Sequence, residues 1–397
     1  MKKYIWRSAL VVLSLAAATV SAQQQQEQIE PVSRPPGWSF IPSVAIGALF
    51  DSNLALTSPR ADLGETQGDS LFTIQPMGEL SMISRRTDFS ASYRGTVRRY
   101  TDVDALNGYD QRFNLSLRRA ATKRLSFFVN NTYADVPTTD DTMLNGVPFR
   151  RTGSISNRFA AGAEGRLSKV MTLSGRYDQT WSKFDDNDLA LNDGTIHEMK
   201  GQLLRHFTPK LAIGADYAFR IADMAEGQRH LTFHDVGGSV DWTLGPHTKV
   251  TAGAGFSTLT EEQFNERRSG PYFNGRIDHT TEYVTFGANF ARQFVPSFGF
   301  GGANRNQELG AYLRAPIGRR MYTNGSFTWR HYLPFEIDSL EGDAFWLRSS
   351  LGYMIAPWGR VEGFYIHTLQ DTVVTGGEIS RHRVGVQLVL SQPMRIQ

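Results

Sequence analysis

The chain contains no cysteine among its 397 residues, so neither a disulfide framework nor a thiolate metal site can organise it. A lipid anchor on cysteine is excluded with them. After the N-terminus no segment approaches about 20 consecutive apolar residues, which rules out helical membrane spans. Charge of one sign is scarce as well. The 42 Lys and Arg nearly balance the 39 Asp and Glu, and a dispersed net charge of +3 gives no reason to expect nucleic acid as a partner. Catalytic constellations are also missing: the nine histidines are scattered, and no G-x-S-x-G elbow or metal-ligand spacing occurs. His230 and His234 stand four apart, but on a strand that spacing forms an extended ladder with no carboxylate pair beside it. No nucleophile–base pair can be named, so no enzyme and no cofactor are expected.

What the chain does have is a rhythm. From Trp38 to Leu390 its apolar stretches are short, alternate every second residue, and are joined by connections alternately long and very short. One stretch reads Phe89-Ser90-Ala91-Ser92-Tyr93-Arg94-Gly95-Thr96-Val97-Arg98, apolar or small at odd positions and Ser, Thr or Arg at even ones. Such a segment has one face for hydrocarbon and one for water. Closed into a ring it gives an all-β, transmembrane antiparallel barrel with lipid outside and water within. The mean hydropathy of −0.34, ordinary for a soluble protein, follows from that geometry, because only alternate residues meet lipid. The expected location is the outer membrane of a Gram-negative cell.

The N-terminus supports this. Residues 1–22 read as a secretory signal peptide: Lys2, Lys3 and Arg7, an apolar core from Ala9 to Ala18, then Val20-Ser21-Ala22 before cleavage. Residues 23–37 form a Gln- and Pro-rich leader, expected to be a flexible periplasmic tail. Residues 38–397 read as one barrel domain without a linker.

Alternation and turn residues predict strands near 40–50, 70–83, 87–100, 109–119, 123–134, 153–167, 170–183, 195–207 and 210–222. Others fall near 230–244, 248–259, 270–278, 281–294, 305–315, 320–332, 343–355, 359–370 and 380–391. The total is about eighteen, even as in bacterial single-chain barrels. Tight turns such as Ser84-Arg85-Arg86, Ser168-Lys169, Thr208-Pro209 and Pro357-Trp358 alternate with longer connections such as 51–69, 135–151, 185–194, 261–270 and 295–304. Outer-membrane barrels keep short turns in the periplasm and long loops outside, so both termini are expected in the periplasm.

Phe113, Leu115, Leu117, Ile213, Tyr217, Phe286, Phe290, Val384 and Val386 fall on the predicted lipid face. Tyr100, Tyr133, Trp181, Trp242, Trp329 and Tyr353 lie near strand ends, where aromatic girdles stand. The opposite face carries Arg and Asp. An Arg turned to lipid near the midplane would cost about 2–4 kcal/mol, so these charges point into the lumen or sit at the rim. The candidate pore-lining residues are Ser92, Arg94, Thr96, Arg98, Arg112, Arg118, Arg176, Arg220, Arg330 and Arg348, with Asp88, Asp178, Asp216, Asp241 and Glu362 among them. Two readings fit. The charges pair across neighbouring strands and merely hydrate the wall, or the arginines form a path for an anionic or hydroxyl-rich solute.

Two resemblances add to this. The last strand, Arg383-Val384-Gly385-Val386-Gln387-Leu388-Val389-Leu390, resembles the C-terminal β-signal read by the barrel-assembly machinery, although Ser391 to Gln397 follow it instead of a terminal aromatic. Phe50-Asp51-Ser52-Asn53-Leu54 is similar to the opening motif of the outer-membrane β-barrel porin family of bacterial exopolysaccharide export clusters. The hairpin from Pro76 to Tyr100, and the stretch from Phe294 to Gly302 with Glu308 and Arg314-Ala315-Pro316, resemble the same family. That resemblance implies a porin passing a secreted polysaccharide, set in outer-membrane lipid above a periplasmic polysaccharide-export protein. Uptake of a sugar or other small solute is the alternative. An uptake porin is expected to carry a long inward-folded loop and an aromatic ladder, and neither is visible in the sequence.

Overall fold

The computed structural model describes residues 36–54, 68–136, 153–184, 192–224, 227–298, 302–335, 341–372 and 377–396. The expected signal peptide, nearly all of the leader and the tips of several expected long loops lie outside them.

Eighteen antiparallel strands make the wall. The first nine are β1 (Gly37–Asp51), β2 (Asp69–Ile83), β3 (Thr87–Tyr100), β4 (Gly108–Ala120), β5 (Leu125–Val136), β6 (Ser154–Arg166), β7 (Met171–Phe184), β8 (Gly194–Thr208) and β9 (Leu211–Met224). The rest are β10 (Arg229–Thr243), β11 (Thr248–Glu261), β12 (Glu266–Thr280), β13 (Thr285–Pro296), β14 (Ala303–Ile317), β15 (Met321–Pro334), β16 (Gly342–Ala356), β17 (Gly359–Thr372) and β18 (Gly377–Ser391). Each strand pairs with its sequence neighbours, and β18 returns to β1 from Ser43↔Ser391 to Asp51↔Arg383. The barrel is closed. After Pro393 the chain resumes as β19 (Met394–Ile396), which pairs with Trp38–Phe40 and completes the seam below β18. That accounts for the residues beyond the β-signal.

Closure is consistent with the alternation. Leu80, Ala91, Leu115 and Asn131 stand opposite one another on successive strands, and at the seam Ile46 faces Leu388 and Ala48 faces Val386. An outward position therefore meets an outward position around the ring, because a one-residue slip would invert a whole strand. Ile46, Phe113, Ile213, Phe290, Leu351 and Val386 are exposed on the outer face, the composition of a lipid belt. Polar residues such as Ser39, Ser81, Gln202, Arg330 and Glu362 are buried on the inner one.

The turns on the side where β1 begins and β18 ends are two to four residues long. The other side is less uniform than expected. The connection predicted at 261–270 is a tight turn at 262–265, because Glu261 pairs directly with Glu266 and Asn265 adopts a left-handed conformation at φ 50. Tyr100 also departs from expectation. It is not a girdle residue but is buried inside with Leu54 and Leu71, since its even number places it on the inward series of β3.

The inner wall stays smooth where side chains lie flat. Tyr272 of β12 stretches over Gly255 and Gly237 to donate its hydroxyl to Asp216 of β9 at 2.6 Å. A Cβ at Gly237 would come within 1.9 Å of that hydroxyl, so the glycine is required by the ring.

Candidate functional site

The ten candidate pore-lining residues all belong to the inward series, but they do not form one site. Ser92, Arg94, Thr96 and Arg98 run up β3, Arg112 and Arg118 lie on the neighbouring β4, and the others are spread over β7, β9, β15 and β16. Four of the arginines are committed to carboxylates. Arg98 donates to Asp110 at 2.6 Å, Arg330 to Glu308 at 2.5 Å, and Arg176 to Asp178 through Nη2 at 2.6 Å. Arg220 donates to Asp235 and lies 3.3 Å from Glu198. For Arg98, Arg220 and Arg330 the pairing runs across neighbouring strands, and for Arg176 it runs along β7. Arg94 stands directly opposite Arg112. Arg118 stands opposite Asp88, and Arg348 opposite Ser326.

The largest departure from the sequence reading lies inside the outer half of the barrel. β12 and β13 cease to pair after Phe273↔Arg292, yet β13 remains paired with β14 up to Pro296↔Ala303. Above Arg292, β13 parts from β12 while β14 stays paired with β15 as far as Asn304↔Pro334. The inward path of β13 is fixed by Arg220 of β9, whose Nη1 donates to the Phe294 carbonyl at 2.9 Å. Four strand steps of about 4.8 Å separate β9 from β13 around the wall, more than an arginine side chain spans, so the backbone itself has come inward. Arg220 is pinned below by Asp235 and lies 5.0 Å from the centre of the Phe233 ring.

The described upper end of β13 is apolar. Phe294 and Phe298 join a buried cluster with Phe184, Met224, Leu231, Phe233 and Leu259 on one side of the lumen and Tyr332 and Ala344 on the other. Gly194 gives Phe298 its seat, since a Cβ there would approach the ring to 3.1 Å and the Met224 sulfur to 2.3 Å. Of the stretch expected as an external loop at 295–304, the described residues 295–298 and 302–304 are thus turned inward, and Phe298 and Ala303 join the cluster that narrows the bore. Loop length does not mark it, because the connection at 295–304 is shorter than those at 51–69 and 135–151. The available signal was the density of phenylalanine between Phe294 and Phe300 in a segment that should face water.

A second feature was legible only as a motif. Asp51, at the end of β1, accepts from Arg381 Nε at 2.9 Å and also from its Nη2, while the Asn53 N–H donates to Asp51 Oδ1 at 3.2 Å. Asn53 Nδ2 donates to the Ser380 carbonyl at 3.1 Å. The Phe50–Leu54 motif is therefore a clasp joining the first strand to the last at the outer mouth.

Histidines lie mostly outside. His197, His234 and His382 each hydrogen-bond a tyrosine, Tyr177, Tyr217 and Tyr365 respectively, on the outward series. These pairs extend the interfacial girdle. Among the described residues no group of three or more His, Asp or Glu is placed to hold a metal ion.

No protein-family model and no curated protein sequence matches the chain, so the resemblance to the exopolysaccharide-cluster family has no matching model behind it. Solved structures do match. OccAB4 of Acinetobacter baumannii is 10% identical, over 92% of this chain and 100% of that one, with a TM-score of 0.48. The outer membrane protein OpdK of Pseudomonas aeruginosa is 9% identical over 89% and 99%, with a TM-score of 0.45. OpdL of Pseudomonas aeruginosa is 9% identical over 91% and 99%, with a TM-score of 0.43. This chain's own eighteen-strand closure, apolar belt and charged lumen make it an outer-membrane β-barrel of the porin type.

Proposed function

We infer that the chain is a channel admitting small hydrophilic solutes across the outer membrane. The observation that carries this reading is the β13–β14 hairpin pinned inside the lumen by Arg220. An extended polymer needs a continuous open bore, whereas a fixed inward element imposes a size limit, as a solute filter requires. Proteoliposome swelling with sugars and carboxylates of graded size tests the reading. Rates should fall steeply with solute size. Equal rates for small sugars and long oligosaccharides would count against a filter.

Secretion of an exopolysaccharide, above a periplasmic polysaccharide-export protein, is the second reading. Its support is the sequence resemblance. Two stretches carrying that resemblance have structural work of their own, residues 50–54 in the clasp and 294–298 in the hairpin. Deleting the gene and measuring cell-surface polysaccharide separates the two: lost polysaccharide favours export, and unchanged polysaccharide leaves uptake.

A further inference from the structure

The outward histidines near the upper end of the barrel repeat one arrangement and then break it. Tyr177 with His197, and Tyr217 with His234, each join one hydroxyl to one ring nitrogen. The third pair, Tyr365 of β17 with His382 of β18, has a second imidazole beside it. His367 stands directly opposite His382 across the strand pair, and their Nδ1 atoms approach to 3.1 Å. Tyr365 Oη lies 2.8 Å from the same His382 nitrogen.

Hydrogen bonding alone does not satisfy this group. A ring nitrogen carries either one hydrogen or one lone pair, so His382 Nδ1 cannot make a full hydrogen bond to both neighbours. Its other nitrogen decides which it carries. Nε2 of His382 lies 3.4 Å from Ser380 Oγ, and a hydrogen donated there leaves Nδ1 with its lone pair. If that lone pair accepts from Tyr365, His367 faces a nitrogen with nothing further to offer. A cation between the two rings uses both nitrogens. Two Zn–N bonds of about 2.0–2.1 Å at the tetrahedral angle set their nitrogens about 3.3 Å apart, close to the spacing here.

The surroundings hold the rings in place. Tyr365 stacks on His382 and Phe345 packs edge-on against His367, each with ring centres 6.1 Å apart. The backbone of His382 is fixed at the seam, where the Ser52 N–H donates to its carbonyl at 3.0 Å and its own N–H donates to Ser52 Oγ at 2.8 Å. On the outward series Val384 and Val386 lie exposed below the histidines, while Asp371 faces Glu378 above them, both exposed. The pair therefore stands where the apolar belt gives way to the polar rim, and the carboxylates draw cations towards it. Imidazole suits zinc, nickel and copper, whereas calcium and magnesium prefer oxygen. Two histidines leave the remaining coordination positions to the Tyr365 hydroxyl and water.

We propose that His367 and His382 bind a divalent transition metal of the imidazole-seeking class, Zn²⁺, Ni²⁺ or Cu²⁺, which ties β17 to β18 beside the closing seam.

The test uses the full-length barrel, carrying no histidine tag and purified in detergent. Calorimetric titration with Zn²⁺ should show a site whose affinity falls at least tenfold in H367Q and in H382Q and is unchanged in H279Q at the opposite end. The electron paramagnetic resonance spectrum of added Cu²⁺ should show two nitrogen ligands in the wild type and one in either variant. Heat-modifiable migration shows whether each variant is folded. Should one fail to fold, protection of His367 and His382 from diethyl pyrocarbonate by Zn²⁺ in the wild type gives the same readout without a substitution. Undiminished Zn²⁺ affinity in the folded histidine variants, or no protection of the two rings, would overturn the proposal. Displacement of Zn²⁺ by equimolar Ca²⁺ would assign the cation to Asp371 and Glu378 and overturn it as well.

Discussion

Replacing Arg381 with Ala removes the clasp at the seam where the barrel closes. Asp51 is fully enclosed, its side chain 0% exposed and that of Arg381 5%. The carboxylate would lose a partner that reaches it through both Nε and Nη2 while staying out of water. Breaking a buried pair by removing one member costs about 3–5 kcal/mol, roughly a 150- to 5,000-fold change in the folding equilibrium. Urea unfolding in phospholipid vesicles, followed by tryptophan fluorescence, reads the loss as a lowered midpoint with an unchanged slope. Asp51→Leu with Arg381→Leu should recover most of it, because a matched apolar pair leaves no stranded charge. A loss below about 1 kcal/mol in Arg381→Ala, or a double Leu variant no better than the single one, would refute the clasp.

Three other outcomes follow from the same geometry. A cysteine at Glu262 should react with a membrane-impermeant maleimide on intact cells while one at Lys169 stays protected, and equal labelling would reject the orientation, since these residues lie in turns at opposite ends. Asp at both Leu388 and Leu390 should block insertion by the barrel-assembly machinery. These residues face outward beside Ile46 and Val44, where each charge costs about 1–2 kcal/mol or more with depth, so normal outer-membrane levels would contradict the assignment. Glu at both Arg94 and Arg112 should shift the reversal potential in a KCl gradient towards cations. The shift should shrink in 1 M salt, where screening acts within about 3 Å, and an unchanged potential would remove this wall from the ion path.

The wall was legible because a barrel in lipid obeys a local rule. The alternation at Ser92, Arg94, Thr96 and Arg98 places each residue without knowledge of its neighbours, and sterics carry that order around the ring. The candidate site was not legible in the same way. Phe294 keeps the numbering of an outward residue, and its inward position depends on the strand leaving β12, which no alternation encodes. Arg220 could be placed in the lumen from sequence, but its bond to a carbonyl 74 residues away could not. The clasp has the same character, since Asp51 and Arg381 lie 330 residues apart and meet only when the ring closes.

Single-channel conductance in planar bilayers tests the central claim most directly. If the lumen is an aqueous path narrowed by the β13–β14 hairpin, Phe294→Ala with Phe298→Ala should raise the unit conductance severalfold over the wild type. It should also relax the size limit for solutes, with heat-modifiable migration unchanged. Equal conductance of the wild type and the folded double variant would contradict a hairpin-limited channel.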